Sequence, residues 1–354
     1  MSVLDLIRPE LSTIEPYIPS GDDSRCRLHA NELPWCSITL ESVPLNYYPK
    51  AKALRDLQQR LSECFKVNSD ELLLTRGSDD GIDLLMRVFL RSGMDSILQC
   101  PPTFPMYSFY ARLQHAKVLN CPLDRNNYFN MDFNQLLSVW EPNCKLLMLC
   151  RPNNPTGNLL ELGAIAQLCE QFRDKAIVVV DEAYIEFSES ASATTLLPSY
   201  DNLIVLRTLS KAYGLAGLRL GAICAQKQVI KALHNCMAPY SISSAVMALA
   251  QNALRDMSWF SQRLQRILAE KNKLYEQLQS CAWITTVYPS HANFILIRSP
   301  YAEALMNTFA RAGIAVRYFT NPPLENTLRI TVGDEQHNQE LLMLLSAFKP
   351  REMQ

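Results

Sequence analysis

Glycine is scarce in this chain, with 11 among 354 residues, roughly half the usual share of about 7%. A chain this sparing with glycine uses it where backbone geometry demands it. Seven of the 11 fall in four short segments: Gly77 with Gly81, Gly157, Gly214 with Gly217 and Gly221, and Gly333. Histidine is scarcer still, at five, and the 11 cysteines include no C-x-x-C pair, which argues against a zinc or other metal site. Their odd number and scatter from Cys26 to Cys281 fit buried free thiols better than a disulfide framework. Charged residues are also few, 19% against about 25% ordinarily. That deficit suits a chain that buries surface between domains or subunits. A net charge of −1, from 34 basic and 35 acidic residues, leaves no basic footprint for nucleic acid. The first 11 residues hold no apolar core of signal-peptide length. The longest purely apolar runs, such as Leu146 to Cys150, are too short to cross a bilayer. A soluble, cytoplasmic protein is expected, with no membrane or nucleic-acid partner.

What the chain has in quantity is apolar residue, 48%, enough for a large core. Its length suggests about two domains. Short apolar runs recur at Leu72–Thr75, Ser96–Cys100, Lys117–Cys121, Lys145–Cys150, Ala176–Val180, Leu203–Leu206 and Leu218–Cys224. Several are continuous rather than alternating, as in strands buried on both faces. Helical patterns at Ile82–Leu90 and Leu160–Phe172 lie between some of them. This alternation predicts an α/β fold with a mostly parallel, seven-stranded sheet covered on both sides. Beyond about Met257 the texture changes. Phe260, Leu264, Ile267, Leu268, Leu274, Tyr275 and Leu278 recur at helical spacing. Short strands at Trp283–Tyr288, Asn293–Ile297 and Leu328–Val332 follow, with helices at Ala302–Ala312 and Glu335–Phe348. The expected division is an N-terminal arm (1–30), a large domain (31–258) and a smaller α+β domain (259–354).

The segment Arg207 to Gly221, R-T-L-S-K-A-Y-G-L-A-G-L-R-L-G, follows a buried strand and is dense in small residues. A lysine at a strand end usually just reaches solvent. Here Ser210 precedes Lys211, Gly214 and Gly217 open space around it, and Arg219 follows. A lysine nucleophile needs desolvation or a neighbouring cation, and an arginine offers phosphate a two-pronged partner. Two further motifs sit at strand ends: Asn153-Asn154-Pro155-Thr156-Gly157, and Asp181-Glu182-Ala183-Tyr184, which precedes Lys211 by 30 positions. Each alone is weak, since N-P-T-G is also plain turn chemistry; their order and placement make the signal strong.

Together these motifs resemble the fold-type I pyridoxal-phosphate enzymes. L-H-A-N-E (Leu28 to Glu32), Y-Y-P-K (Tyr47 to Lys50), R-G-S-D-D-G (Arg76 to Gly81), D-E-A-Y-I-E-F and L-R-I-T-V-G (Leu328 to Gly333) narrow the likeness to the histidinol-phosphate aminotransferases, over effectively the whole chain. The resemblance implies pyridoxal 5'-phosphate as cofactor. It also implies Lys211 as the residue that holds the cofactor aldehyde as an imine and then moves the proton. Asp181 would keep the pyridine nitrogen protonated, Tyr184 and Asn154 would bond the ring oxygen, and the Asn154–Pro155 bond would be cis. Ser78 and Asp79, at the start of a helix, would bind phosphate with Ser210 and Arg219. Read alone, Ser78 and Asp79 would merely cap that helix. Tyr48 would reach the same phosphate from the other subunit of a homodimer with shared sites. Phe104 stands where the family has a stacking tyrosine, so stacking survives without the hydroxyl. Arg317, Arg329 and Tyr17 would recognise the substrates, histidinol phosphate in one half-reaction and glutamate or 2-oxoglutarate in the other. A threonine-phosphate decarboxylase or an aromatic transaminase would use the same lysine. A cofactor-binding regulator would need a DNA-binding extension for which no residues remain.

Overall fold

The apolar runs between Leu72 and Ala225 do assemble into one seven-stranded sheet. The computed structural model describes residues 26–28, 31, 49 and 51–349; Tyr17 and Tyr48 lie outside them. Strand β1 is Cys26–Arg27. The large sheet then uses β2 (Leu72–Thr75), β3 (Ser96–Gln99), β4 (Lys117–Asn120), β5 (Cys144–Cys150), β6 (Ile177–Asp181), β7 (Leu203–Thr208) and β8 (Gly221–Ala225). Their order is β2-β8-β7-β6-β5-β3-β4. Strand β8 runs antiparallel to both its neighbours, and every other pairing is parallel. Six strands therefore point their carboxyl ends toward one edge.

Both faces of this sheet are covered, which explains the continuous apolar runs. Leu147, Leu149, Val178 and Val180 join one core cluster with Leu57 and Leu61 of α1 (Ala51–Phe65). Leu146, Met148 and Val179 join another with Leu84 and Leu85 of α2 (Gly77–Phe89) and Tyr107 of α3 (Met106–Leu113). Helices α4 (Phe133–Val139), α5 (Leu162–Gln171), α6 (Lys227–Asn235) and α7 (Ser244–Ala253) complete this part. Of the 11 cysteines, the nine at described positions are all free thiols, and six of them are buried.

Helix α8 (Met257–Gln279) starts at Asp256, whose carboxylate accepts from the backbone N–H of Ser258 and Trp259. Past it, β9 (Thr286–Val287), β10 (Phe294–Arg298), β12 (Arg317–Phe319) and β13 (Thr327–Thr331) form an antiparallel sheet of order β12-β13-β10-β9. Helices α9 (Ala302–Arg311) and α10 (Glu335–Ala347) pack with it. Strand β11 (Ile314–Ala315) pairs in parallel with β1.

Three expectations need correction. Helix α2 begins at Gly77 rather than Ile82, because its first turn is packed against the β8 entrance despite two glycines. The span Leu218–Cys224 is strand only from Gly221; Ala216–Leu218 is a 3-10 turn that ends with Arg219 in the left-handed region. The expected strand Trp283–Tyr288 shrinks to two residues, and β12, which carries Arg317, was not expected.

Candidate active site

Every expected residue from the large sheet lies at its carboxyl edge, where ligands bind in open α/β sheets. Phe104 follows β3, Asn154 follows β5, Asp181 ends β6, and Ser210 and Lys211 follow β7. Ser78 and Asp79 open α2 after β2, and Arg219 precedes the reversed strand β8. One pocket is lined by Ser78, Asp79, Phe104, Asn154, Asp181, Tyr184, Ser210, Lys211 and Arg219 together. Cys150 and Thr208 line it as well.

Two glycines make its anion end possible. Gly77 has φ +76°, and a Cβ there would stand 2.6 Å from Arg219 Nη2. A Cβ on Gly221 would stand 2.7 Å from the Gly77 carbonyl carbon and 2.8 Å from the Ser78 nitrogen. No side chain caps α2, so its first N–H groups and dipole are left for an anion. Arg219 donates to Ser210 Oγ at 3.3 Å and to Asp79 Oδ2 at 3.3 Å. Burial pushes the Asp79 carboxyl up, against the pull of Arg219 and Lys211.

At the other end Asp181 is nearly fully buried. Burial raises its carboxyl to about 6, although Tyr107 Oη donates to Oδ2 at 2.8 Å and the Ala183 N–H donates to Oδ1 at 3.2 Å. These donors are neutral, so the carboxylate retains its capacity to face a cation. Lys211 Nζ lies 5.7 Å from the centre of the Tyr184 ring. That ring meets Phe294 edge-on, and its hydroxyl accepts from Asn31 Nδ2 at 3.1 Å. Burial pushes the Tyr184 phenol up, with Arg329 pulling it the other way.

Arg329 comes from the four-stranded sheet. It is largely buried, donates from Nη1 to Asn154 Oδ1, and stands directly opposite Arg317 on β12. Partners that face each other across an antiparallel pair share a face of the sheet. Arg317 is exposed, with its guanidinium 5.8 Å from the Phe319 ring centre. The Asn154–Pro155 bond is cis.

Next in the chain to Cys150 and Asp181, which line the pocket, starts an ionic network that the motifs did not suggest. Arg151 and Glu182 are fully buried and paired at 2.6 Å. Arg207 pairs with Glu186 at 2.6 Å, and Ser192 and Ala193 donate to Glu182. The network ties together the ends of three strands. Asn31 and Tyr107 also escaped the sequence reading. The first sat inside a recognised motif without a role, and the second is an aromatic three residues past Phe104, which by itself reads as core.

The residues fit a pyridine ring carrying a phosphate and an aldehyde. A buried carboxylate held by neutral donors suits a ring cation. An uncapped helix N-terminus beside Arg219 suits the phosphate, and an amine in the same pocket suits the aldehyde.

A family model described as aminotransferase class I and II matches residues 18–345. The chain belongs to this family. Among aminotransferases it is 48% identical over 349 residues to histidinol-phosphate aminotransferase 1 of Legionella pneumophila strain Lens, covering 98% of this chain and 96% of that one. Identity to the histidinol-phosphate aminotransferase of Xanthomonas euvesicatoria is 38%, over 97% of each chain. The crystal structure of histidinol-phosphate aminotransferase from Sinorhizobium meliloti in complex with pyridoxal-5'-phosphate shares the fold, with a TM-score of 0.83. It is 19% identical and the match covers 96% of this chain and 97% of that one. Among the described residues no helix is long and apolar enough to cross a membrane.

Proposed function

We propose that this aminotransferase interconverts histidinol phosphate plus 2-oxoglutarate with imidazole acetol phosphate plus glutamate, in the cytoplasm, as a homodimer. The observation that carries the reading is the full-length likeness at 48% identity to a histidinol-phosphate aminotransferase. The opposed Arg317 and Arg329 agree with it. Both partners in the exchange bring anions, a phosphate ester in one and carboxylates in the other, and guanidinium groups take either in bidentate fashion.

Pyridoxal phosphate, when bound, supplies an electron-poor ring that takes up the electron pair left when the amine-bearing carbon loses its proton. Lys211 is the group that holds the cofactor and moves that proton. Asp181 keeps its charge against the ring nitrogen, and Phe104 covers the ring face. Tyr184 and Asn154 bond the ring oxygen. Ser78 and Asp79 present backbone N–H groups to the phosphate, beside Ser210 and Arg219. Arg329 grips an anion of the substrate while bonded to Asn154, which links substrate arrival to the ring's surroundings. Arg317 and Tyr17 take the phosphate ester, and Tyr48 of the partner subunit completes the phosphate cup.

Purified protein given histidinol phosphate and 2-oxoglutarate should form glutamate. With threonine phosphate it should release no carbon dioxide, and carbon dioxide release in place of glutamate formation would make it the decarboxylase. Mixed Tyr48→Ala and Lys211→Ala chains should regain activity above either parent, since one complete site forms in each hybrid. Confirmed subunit exchange without such a gain would remove the shared site.

A further inference from the structure

We infer that Tyr107 is a positioning residue for amino transfer, orienting the Asp181 carboxylate from behind and bracing the Phe104 ring from its edge. The inference rests on the cofactor seating proposed above.

Tyr107 is wholly buried on α3, and its hydroxyl donates to Asp181 Oδ2 at 2.8 Å. The Ala183 N–H holds the other oxygen at 3.2 Å. With one donor on each oxygen the carboxylate cannot rotate, and its remaining lone pairs are aimed by the protein rather than by the ligand. Each donor also favours the charged form of a group that burial drives toward neutrality. A neutral acid at this position would not hold a protonated ring nitrogen. The Phe104 ring meets the Tyr107 ring edge-on, with centroids 5.6 Å apart at 82°. One side chain therefore ties the acid at the ring's nitrogen to the aromatic that covers its face.

Two neighbours keep this assignment single-valued. Burial, with the Asp181 charge adding to it, pushes the Tyr107 phenol well up, so it remains a donor through the neutral range. Cys150 is the register partner of Asp181 on the adjoining strand, and burial pushes its thiol up as well. It stays uncharged, donates to the Pro152 carbonyl at 3.3 Å, and lies within hydrogen-bonding reach of the Tyr107 hydroxyl.

Tyr107→Phe keeps the ring and removes only the hydroxyl; Tyr107→Leu removes both contacts. In cofactor-free protein, carboxyl NMR should show Asp181 titrating above its native midpoint of about 6 in Tyr107→Phe. Equilibrium binding should then be measured with pyridoxal phosphate and with an analogue bearing carbon in place of the ring nitrogen. Tyr107→Phe should lose about tenfold in affinity for the natural cofactor and much less for the analogue. Tyr107→Leu should lose affinity for both. An unmoved Asp181 titration, or equal loss for the two ligands in Tyr107→Phe, overturns the orienting role. Equal binding of the analogue by Tyr107→Leu and Tyr107→Phe overturns the bracing role. Asp181→Asn separates the two levels. If it binds both ligands as the native protein does, the proposed seating falls and takes this inference with it. If it discriminates while Tyr107→Phe does not, only the inference falls.

Discussion

At the ends of β5 and β6 Arg151 and Glu182 are fully buried and paired with each other. On the small sheet Arg317 is exposed and stands opposite another arginine, Arg329. The two regions handle charge in opposite ways. In the first, each cation has an anion of the protein beside it, together with backbone and hydroxyl partners. In the second, two arginines stand directly opposite each other on neighbouring strands, an arrangement that by itself costs stability, and Arg329 donates to the Asn154 amide oxygen. A folded protein accepts that cost where something else is meant to bind. The Arg151–Glu182 floor is thus finished by folding, whereas the wall that carries Arg317 and Arg329 is the one proposed above to take a substrate anion.

The largest expected effect tests whether chemistry belongs to the floor side at all. Lys211→Ala should lower transamination by more than about a thousandfold, the upper scale of removing a proton-transferring group. Borohydride reduction of native protein should fix the cofactor on the peptide holding Lys211. Label on another lysine would take the reaction away from this residue.

Glu182→Ala probes the floor as a finished structure. It leaves a buried guanidinium without its carboxylate, and should cost about 3–5 kcal/mol of unfolding free energy by denaturant titration. A loss below about 1 kcal/mol would mean the network is incidental.

Arg329→Ala probes the wall, and the loss should appear in binding instead. Both histidinol phosphate and glutamate should weaken by about 2–5 kcal/mol, read as apparent affinity. Unchanged affinity for both would remove Arg329 from the site. Arg317→Ala sharpens the contrast further, because relieving the opposed charges should leave stability equal or raise it by about 0.2–1 kcal/mol while the phosphate ester binds less well. Destabilisation with full binding would make Arg317 a floor-type residue.

Asp181 adjoins Glu182 of the floor in the chain, and pH exposes it. Its folded value of about 6 lies above the unfolded value of about 3.9. Its contribution to stability is therefore complete below about pH 4 and is lost as pH rises through about 6. Cofactor-free native protein should lose on the order of 2–3 kcal/mol relative to Asp181→Asn across that window. Parallel stability curves for the two proteins would show that burial does not perturb this carboxyl.

The large sheet was more legible in the sequence than the charge network at its strand ends or the short strand β12, for physical reasons. Strands buried on both faces write themselves as unbroken apolar runs, so Leu146–Cys150 and Leu203–Leu206 needed no context. Asp181, Asn154 and Lys211 stood at the ends of such runs. The start of α2 was hidden because Gly-Ser-Asp-Asp-Gly has poor helix propensity, and only the close approach of Gly221 and Arg219 secures it. Strand β12 is three residues of mixed character, so no periodicity could announce it. Its pairing opposite Arg329 is a long-range fact. The partnership of Arg151 with Glu182 joins residues 31 apart and has no local signature. The reversed direction of β8 follows from the tight turn around Arg219, which looked in sequence like the beginning of the strand.

Asn31 joins the two regions in a way that also concerns how the chain is made. Its backbone N–H and side-chain oxygen both engage Thr331, 300 residues further on, while its amide donates to Tyr184. At a synthesis rate of about 5–20 residues per second, Asn31 is added to the chain about 15–60 seconds before Thr331. The large sheet can form during that interval, because its strands end at Ala225. The hydrogen bonds that place Tyr184 cannot. A nascent chain therefore folds its floor early and acquires the far wall only near the end of translation, so cofactor capture competent for reaction is a late event in the life of each molecule.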